Sequence, residues 1–195
     1  MIRLLLALGT CVATLGVAQS QTEDCPPYAA PKSAKALEKA EDAGRYSIEK
    51  RIELLAKAWD DDDQCHACLQ ALGHLQFTLF KRGETGPAAA EETLSTLVEA
   101  CPDFHAEPWY ELGALAYAAG ETAPAIERFT RFLAFEGSER CGKRFDRQAE
   151  DVRAVLDELT FLQAFHAYED QMELLPVTGV NTASDEYLPA LSPDG

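Results

Sequence analysis

The feature that most constrains the fold is a pattern of large, small and helix-ending residues that occurs twice in the middle of the chain. Leu72 and Gly73 in the first copy correspond to Leu112 and Gly113 in the second, 40 residues later. In each copy the apolar residues have helical spacing, a glycine ends the segment, and a second segment of helical spacing follows. Such repetition indicates stacked copies of one helix-pair unit, because a single pair cannot bury its apolar face alone.

The second copy shows the pattern most clearly. We predict a first helix over about 107–118, which Gly120 ends, and a second over about 123–136, with a proline in its first turn. Gly113 would let the second helix approach closely, and the small residue Ala125 is expected at that crossing. The residues expected to build the two units are Leu72, Gly73, Ala90, Trp109, Leu112, Gly113, Gly120 and Ala125.

These residues resemble tetratricopeptide (TPR) repeats, and the resemblance covers residues 34–137. It implies an all-α fold, a TPR-type α-α superhelix of three helix-turn-helix units. The first unit is the weakest, because Arg51 stands where the others have alanine, and terminal repeats are often atypical since they cap the stack. The 40-residue step exceeds the TPR period of about 34 residues, and we place the extra residues in a loop at 81–87.

The regions that follow the repeats differ in character. After Cys141 a long amphipathic stretch, whose apolar residues run from Phe145 to Phe165, predicts a helix that caps the last repeat. Beyond Pro176 the helical period is lost. The expected organisation is a signal peptide at 1–20, a linker at 21–33, a TPR helical repeat domain at 34–173 and an irregular tail at 174–195.

The first twenty residues have the outline of a secretory signal peptide. Arg3 supplies an early positive charge, and residues 4–17 are largely apolar but too few to span a bilayer. We expect cleavage after Ala18 or Ser20. A lipoprotein interpretation would need Cys11 as the acylated residue, and the apolar run before it is very short. The expected product is an exported, periplasmic chain that does not span a membrane.

The closing segment carries a second resemblance. It matches the Pro-x-x-Ser-Pro-Asp-Gly signature of WD40-like (PD40) β-propeller repeats at Pro189, Ser192, Pro193, Asp194 and Gly195. This order of segments is similar to OmpA-family envelope proteins of the Bacteroidota, some relatives of which serve in type IX secretion and gliding. It implies association with the outer membrane and a role in a secretion or envelope assembly. Because the match stops inside the motif, we expect a fragment, with any association with peptidoglycan belonging to domains outside it.

The charge of the chain excludes polyanions as partners. The sequence has 17 Lys plus Arg against 33 Asp plus Glu, a formal net charge of −16. Nucleic acids and anionic lipid surfaces would be repelled by such a chain. The partner implied is therefore a protein, and the envelope location makes it an envelope protein.

The cysteines indicate disulfide bonds. Apart from Cys11 in the signal peptide, five cysteines remain in a compartment that permits disulfides, and their odd number leaves at least one without an intramolecular partner. Cys65 and Cys68 form a Cys-x-x-Cys pattern, for which a structural disulfide or buried thiols are favoured over redox activity or metal binding. Haem attachment is excluded because Leu69 follows the pattern. The disulfide candidates are Cys25, Cys65, Cys68, Cys101 and Cys141.

No pattern predicts catalysis, and we expect neither a cofactor nor a metal site. The serines lie in no nucleophile motif. The acidic run at 60–63 lacks the alternating ligands and the turn glycine of a calcium loop, so it is interpreted as a solvated run that ends a helix. The expected function is a non-enzymatic interaction scaffold. The alternative is a periplasmic redox or metal-binding protein that uses Cys65 and Cys68.

A partner would bind in the groove that the first helix of each TPR unit lines. That groove lacks the lysine and asparagine positions of a carboxylate clamp, so an apolar or basic segment would suit it better. Some of the aromatic residues on these helices could equally belong to the core. The expected partner-binding residues are Gln70, His74, Phe77, Tyr110 and Tyr117.

Overall fold

The computed structural model describes residues 25–167, and within this range it contains seven helices and no strand. The all-α class predicted from the sequence is therefore confirmed. The signal peptide, the tail at 174–195 and the predicted end of the helical domain at 173 lie outside the described residues. The helices are α1 (Pro31–Glu41), α2 (Ile48–Asp61), α3 (His66–Lys81), α4 (Ala88–Ala100), α5 (Ala106–Ala118), α6 (Thr122–Leu133) and α7 (Phe145–His166).

The helices pack as three successive pairs followed by a single helix. Within the pairs α1 contacts α2, α3 contacts α4 and α5 contacts α6, while α7 packs on α6 and α5. Short loops join the members of each pair, so these helices run antiparallel. The first helices also contact one another, α1 with α3 and α3 with α5. They therefore form one side of the stack, and the bounds of α5 and α6 agree with the predicted bounds to within three residues.

Two glycines set the spacing inside the second and third pairs. A Cβ atom at Gly73 would lie 2.4 Å from Cδ2 of Leu94, and one at Gly113 would lie 2.5 Å from Cδ1 of Phe129. The nearest side chain to Gly113 is therefore that of Phe129, one turn after Ala125, which was expected at this crossing. Ala125 is itself fully buried. The Cβ that Gly113 lacks makes room for the ring of Phe129, which is bulkier than Ala125.

Glycines also end the first helices of these two pairs. Gly83 and Gly120 follow α3 and α5 with φ angles of 72° and 77°, in the left-handed region that an L side chain rarely adopts. The extra residues of the first copy were expected in the loop alone. Some of them lie in α3, which extends eight residues beyond Gly73, whereas α5 extends five residues beyond Gly113. The rest lie in the loop after α3, which is longer than the loop after α5.

The last helix caps the stack over only part of its length. Phe145, Val152 and Leu159 are buried against the last pair, and the ring of Phe145 lies 4.6 Å from that of Phe132. By contrast Phe161 and Phe165 are 67% and 47% exposed. Phe165 was expected on the packed face, but burial on α7 ends at Leu159.

A buried carboxylate fixes the start of the first helix. Asp62 is 8% exposed, and its Oδ2 accepts hydrogen bonds from the backbone N–H groups of Ala29 and Ala30 and from the hydroxyl of Ser33, at 3.2, 2.9 and 2.7 Å. It supplies the acceptor that the N-terminus of α1 lacks locally. The interpretation of the whole acidic run as solvated is therefore wrong for Asp62.

The segment before α1 is attached to the helices, although a linker was expected there. The backbone oxygen of Pro26 accepts a hydrogen bond of 2.7 Å from Nδ1 of His66, and that of Pro27 accepts one of 2.9 Å from the N–H of Ala67. A disulfide joins Cys25 to Cys101 at the end of α4. The helical region consequently begins at Pro31, three residues before the expected start.

We predict that Gly113→Ala destabilises the fold by about 1–3 kcal/mol, because the added Cβ would overlap the buried ring of Phe129. Gly86→Ala is the matched control, since its Cβ would meet nothing within 4 Å and its backbone is not left-handed. Chemical denaturation of both variants measures the difference. Equal midpoints would contradict the packing described here.

We predict that Asp62→Asn is less stable than wild type at neutral pH, and that its stability decreases less than that of wild type as the pH falls. The hydrogen bond from Ser33 is the main cause that lowers the pKa of Asp62. A lowered pKa stabilises the fold above the unfolded value of about 3.9, and this contribution disappears as the pH falls through the folded value. Thermal unfolding between pH 3 and pH 7 tests this, with Asp63→Asn as control. Parallel curves for wild type and Asp62→Asn would refute the capping role.

Candidate functional site

Two adjacent depressions open on the side of the stack that the first helices form. One, of about 270 Å³, is lined by Leu37, Glu41, Ala67, Gln70, Ala71, His74 and Glu107. The other, of about 340 Å³, is lined by Gln70, His105, Glu107, Cys141, Gly142, Lys143, Arg144 and Gln148. Because Gln70 and Glu107 line both, the two form one continuous surface, which we call the first-helix groove.

A histidine and a buried glutamate meet between α3 and α5, at the base of this groove. Nδ1 of His74 lies 2.5 Å from Oε1 of Glu111, whose side chain is 3% exposed. The hydrogen bond with Glu111 raises the pKa of His74. Burial raises the pKa of Glu111, and the hydrogen bond from His74 opposes that effect. The short contact between Nδ1 and Oε1 itself calls for a proton between them, because two unprotonated acceptors at this distance would repel each other.

A second carboxylate stands one helical turn before the first. Glu107 forms an ion pair with Arg144, whose side chain is 62% exposed. Its backbone N–H donates to Nδ1 of His105 at 3.1 Å, which caps the start of α5. Ligand atoms of His74, Glu107 and Glu111 all lie within 4.8 Å of one another. This arrangement offers one imidazole nitrogen and two carboxylate groups to a ligand in the groove.

The five expected partner-binding residues lie in different environments. Gln70 and His74 line the first-helix groove. Phe77 is 5% exposed and belongs to the core with Ala90 and Leu94, so it is not available to a partner.

The two tyrosines lie elsewhere on α5. Tyr110 is half-buried, and its ring lies 5.5 Å from that of Phe132. Tyr117 is 42% exposed but lines neither depression. The even spacing of aromatic residues along a helix could not distinguish these environments, because α5 packs against four other helices.

Glu107 and Glu111 were missed in the sequence. Glu111 is the one charged residue between Pro108 and Ala119. A carboxylate in such an apolar segment is the signal that could have marked it, since buried acids are rare without a partner. Its contact with His74 was not readable, because the two residues occupy different positions in their respective units.

The described cysteines form two disulfides and leave one thiol. Cys25 pairs with Cys101 and Cys65 with Cys68, while Cys141 is unpaired. Cys65 and Cys68 are fully buried. Exchange with an external thiol requires access to a sulfur atom, so the structure gives no support to redox activity at this pair.

The described residues define an all-α fold of three helix pairs and a last helix packed on the third pair, with a groove along the first helices. Among the described helices, none combines the length and apolar character that crossing a membrane requires. No protein-family model matches the chain, and comparison with curated proteins and with solved structures finds no significant match.

We predict that the histidines flanking the groove titrate in opposite directions. The imidazole of His74 should titrate above the usual value of about 6.5 and that of His105 below it, because a carboxylate stabilises the charge on His74 and burial disfavours it on His105. Proton NMR of the imidazole resonances between pH 4 and pH 9 measures both, and His74→Gln and His105→Gln assign them. In Glu111→Gln the pKa of His74 should fall. Identical midpoints for the two imidazoles would exclude the pairing.

Proposed function

We propose that this protein is a non-enzymatic TPR-type scaffold whose first-helix groove binds an extended segment of a partner protein. The observation that carries the proposal is the continuous groove along α1, α3, α5 and the start of α7. Stacked helix pairs create extended concave surfaces, and proteins of this architecture use them for binding. The close approach within the second and third pairs, set by Gly73 and Gly113, supports the repeat interpretation.

The lining of the groove favours one chemistry in the bound segment. In the smaller depression Leu37, Ala67 and Ala71 provide apolar surface, while the carboxylates of Glu41 and Glu107 stand beside it. A lysine or arginine side chain fits this combination, because its stem is apolar and its head is cationic. The net charge of −16 would attract such a segment over longer distances. The expected ligand is therefore a segment with a basic residue flanked by small apolar residues.

The proposed location is the periplasmic side of a bacterial envelope, in association with the outer membrane. It is supported by the signal-peptide pattern at residues 1–20 and by two disulfides within the described part of the chain, since disulfides persist in oxidising compartments. The resemblance of the tail to PD40 repeats supports the same location. The partner would then be another envelope protein, as part of a secretion or envelope assembly.

We predict that a charge reversal in the groove weakens the binding of a basic peptide. Glu41 is exposed and lines the smaller depression, so Glu41→Lys should weaken the binding of a fluorescent Ala-Leu-Lys-Ala-Leu peptide at least about tenfold without altering the fold. Glu38→Lys is the matched control, because it makes the same change on the same helix in a different depression. Fluorescence anisotropy in a chelating buffer measures the affinities.

The matched peptide with glutamate in place of lysine should not bind to wild type. Equal weakening by Glu41→Lys and Glu38→Lys would show that net charge acts without a site. Equal binding of the basic and acidic peptides would remove the groove as the recognition surface.

A further inference from the structure

We propose that His74, Glu107 and Glu111 form a binding site for a divalent first-row transition metal ion such as Zn²⁺. The site lies at the base of the first-helix groove, but the inference does not rest on the proposed partner binding. It concerns a different ligand and a different cluster from the Cys-x-x-Cys pattern at Cys65 and Cys68.

The three side chains converge from two helices. Glu107 and Glu111 are one turn apart on α5, so they project from the same face, and His74 reaches them from α3. Their ligand atoms lie within 4.8 Å of one another. Ligands bound to zinc at about 2.0–2.2 Å stand roughly 3–4 Å apart, so small rotations of these side chains would complete the geometry.

The two carboxylates of the cluster attract positive charge. Two carboxylates at this separation repel each other unless positive charge lies beside them. The proton shared by His74 and Glu111 supplies part of that charge, and the guanidinium of Arg144 supplies the rest through its pair with Glu107. The Arg144 side chain is 62% exposed, so it can move into solvent when a metal ion binds to Glu107.

The donor set selects the class of metal. One imidazole nitrogen with two carboxylates suits zinc, cobalt or manganese, whereas calcium and magnesium prefer oxygen ligands alone. On binding, the ion would replace the proton between His74 and Glu111, and that proton would pass to solvent. Glu107 lines both depressions, so the ion would enter from the groove. The remaining coordination positions would face the groove and hold water or a ligand group.

The test is a titration of the full chain with Co²⁺, followed by visible absorption, with Zn²⁺ as competitor. We expect saturation at one ion per chain and displacement by Zn²⁺. Glu107→Gln should weaken binding at least about tenfold, because a lost ligand costs no less than a lost supporting contact. Arg144→Gln should strengthen binding several-fold, because it removes the cation that competes for Glu107. Glu99→Gln, an exposed acid on α4, is the matched control and should change nothing.

The opposite effects of Glu107→Gln and Arg144→Gln distinguish a metal site from a structural ion pair. If Glu107 and Arg144 formed only a structural ion pair, both variants would leave the affinity for cobalt unchanged. Loss of binding in Cys141→Ser, with Glu107→Gln unaffected, would assign the ion to the free thiol and overturn the proposal, as would no saturable binding. Circular dichroism confirms that each variant is folded. Peptide binding is measured in a chelating buffer, so its failure leaves the metal titration unaffected.

Discussion

The structure depends on how closely the two helices of each pair approach. Where Gly73 faces Leu94 and Gly113 faces Phe129, a single missing methyl group permits the contact. The first helices of successive pairs also touch one another, α1 with α3 and α3 with α5. Leu94 is fully buried and Phe129 is 3% exposed, so both contacts lie inside the stack and support the first helices that line the groove.

The described part of the chain buries two acids, Asp62 and Glu111, in different surroundings. Asp62, near the N-terminal edge, is satisfied by three donors from one segment and serves the fold. Glu111, between α3 and α5, has His74 as its hydrogen-bond partner and a second carboxylate close by. A buried acid is tolerated when its partners are complete. Because of this difference, an external ligand can contribute to the His74 cluster but not to the site of Asp62.

The helical framework was readable in the sequence because it is governed by local rules. Helical spacing of apolar residues, left-handed glycines at Gly83 and Gly120, and small residues at crossings act over a few positions, and they placed α5 and α6 almost correctly. The contacts of Asp62 and Glu111 join residues about 30 to 40 positions apart, so no local pattern predicts them. The same limit explains Phe77, whose place on a first helix predicts a groove residue, whereas the packing of α4 buries its side chain.

The disulfide between Cys25 and Cys101 changes how the molecule would respond to mechanical force. It joins residues 76 positions apart, and the first two helix pairs lie within the loop that it closes. Tension applied upstream of Cys25 would pass through the sulfur atoms directly to the end of α4. Helices α1 to α4 would carry none of that load, and extension would begin at α5. A chain tethered at both ends would therefore keep the α1–α3 part of its groove intact while the C-terminal helices unfold.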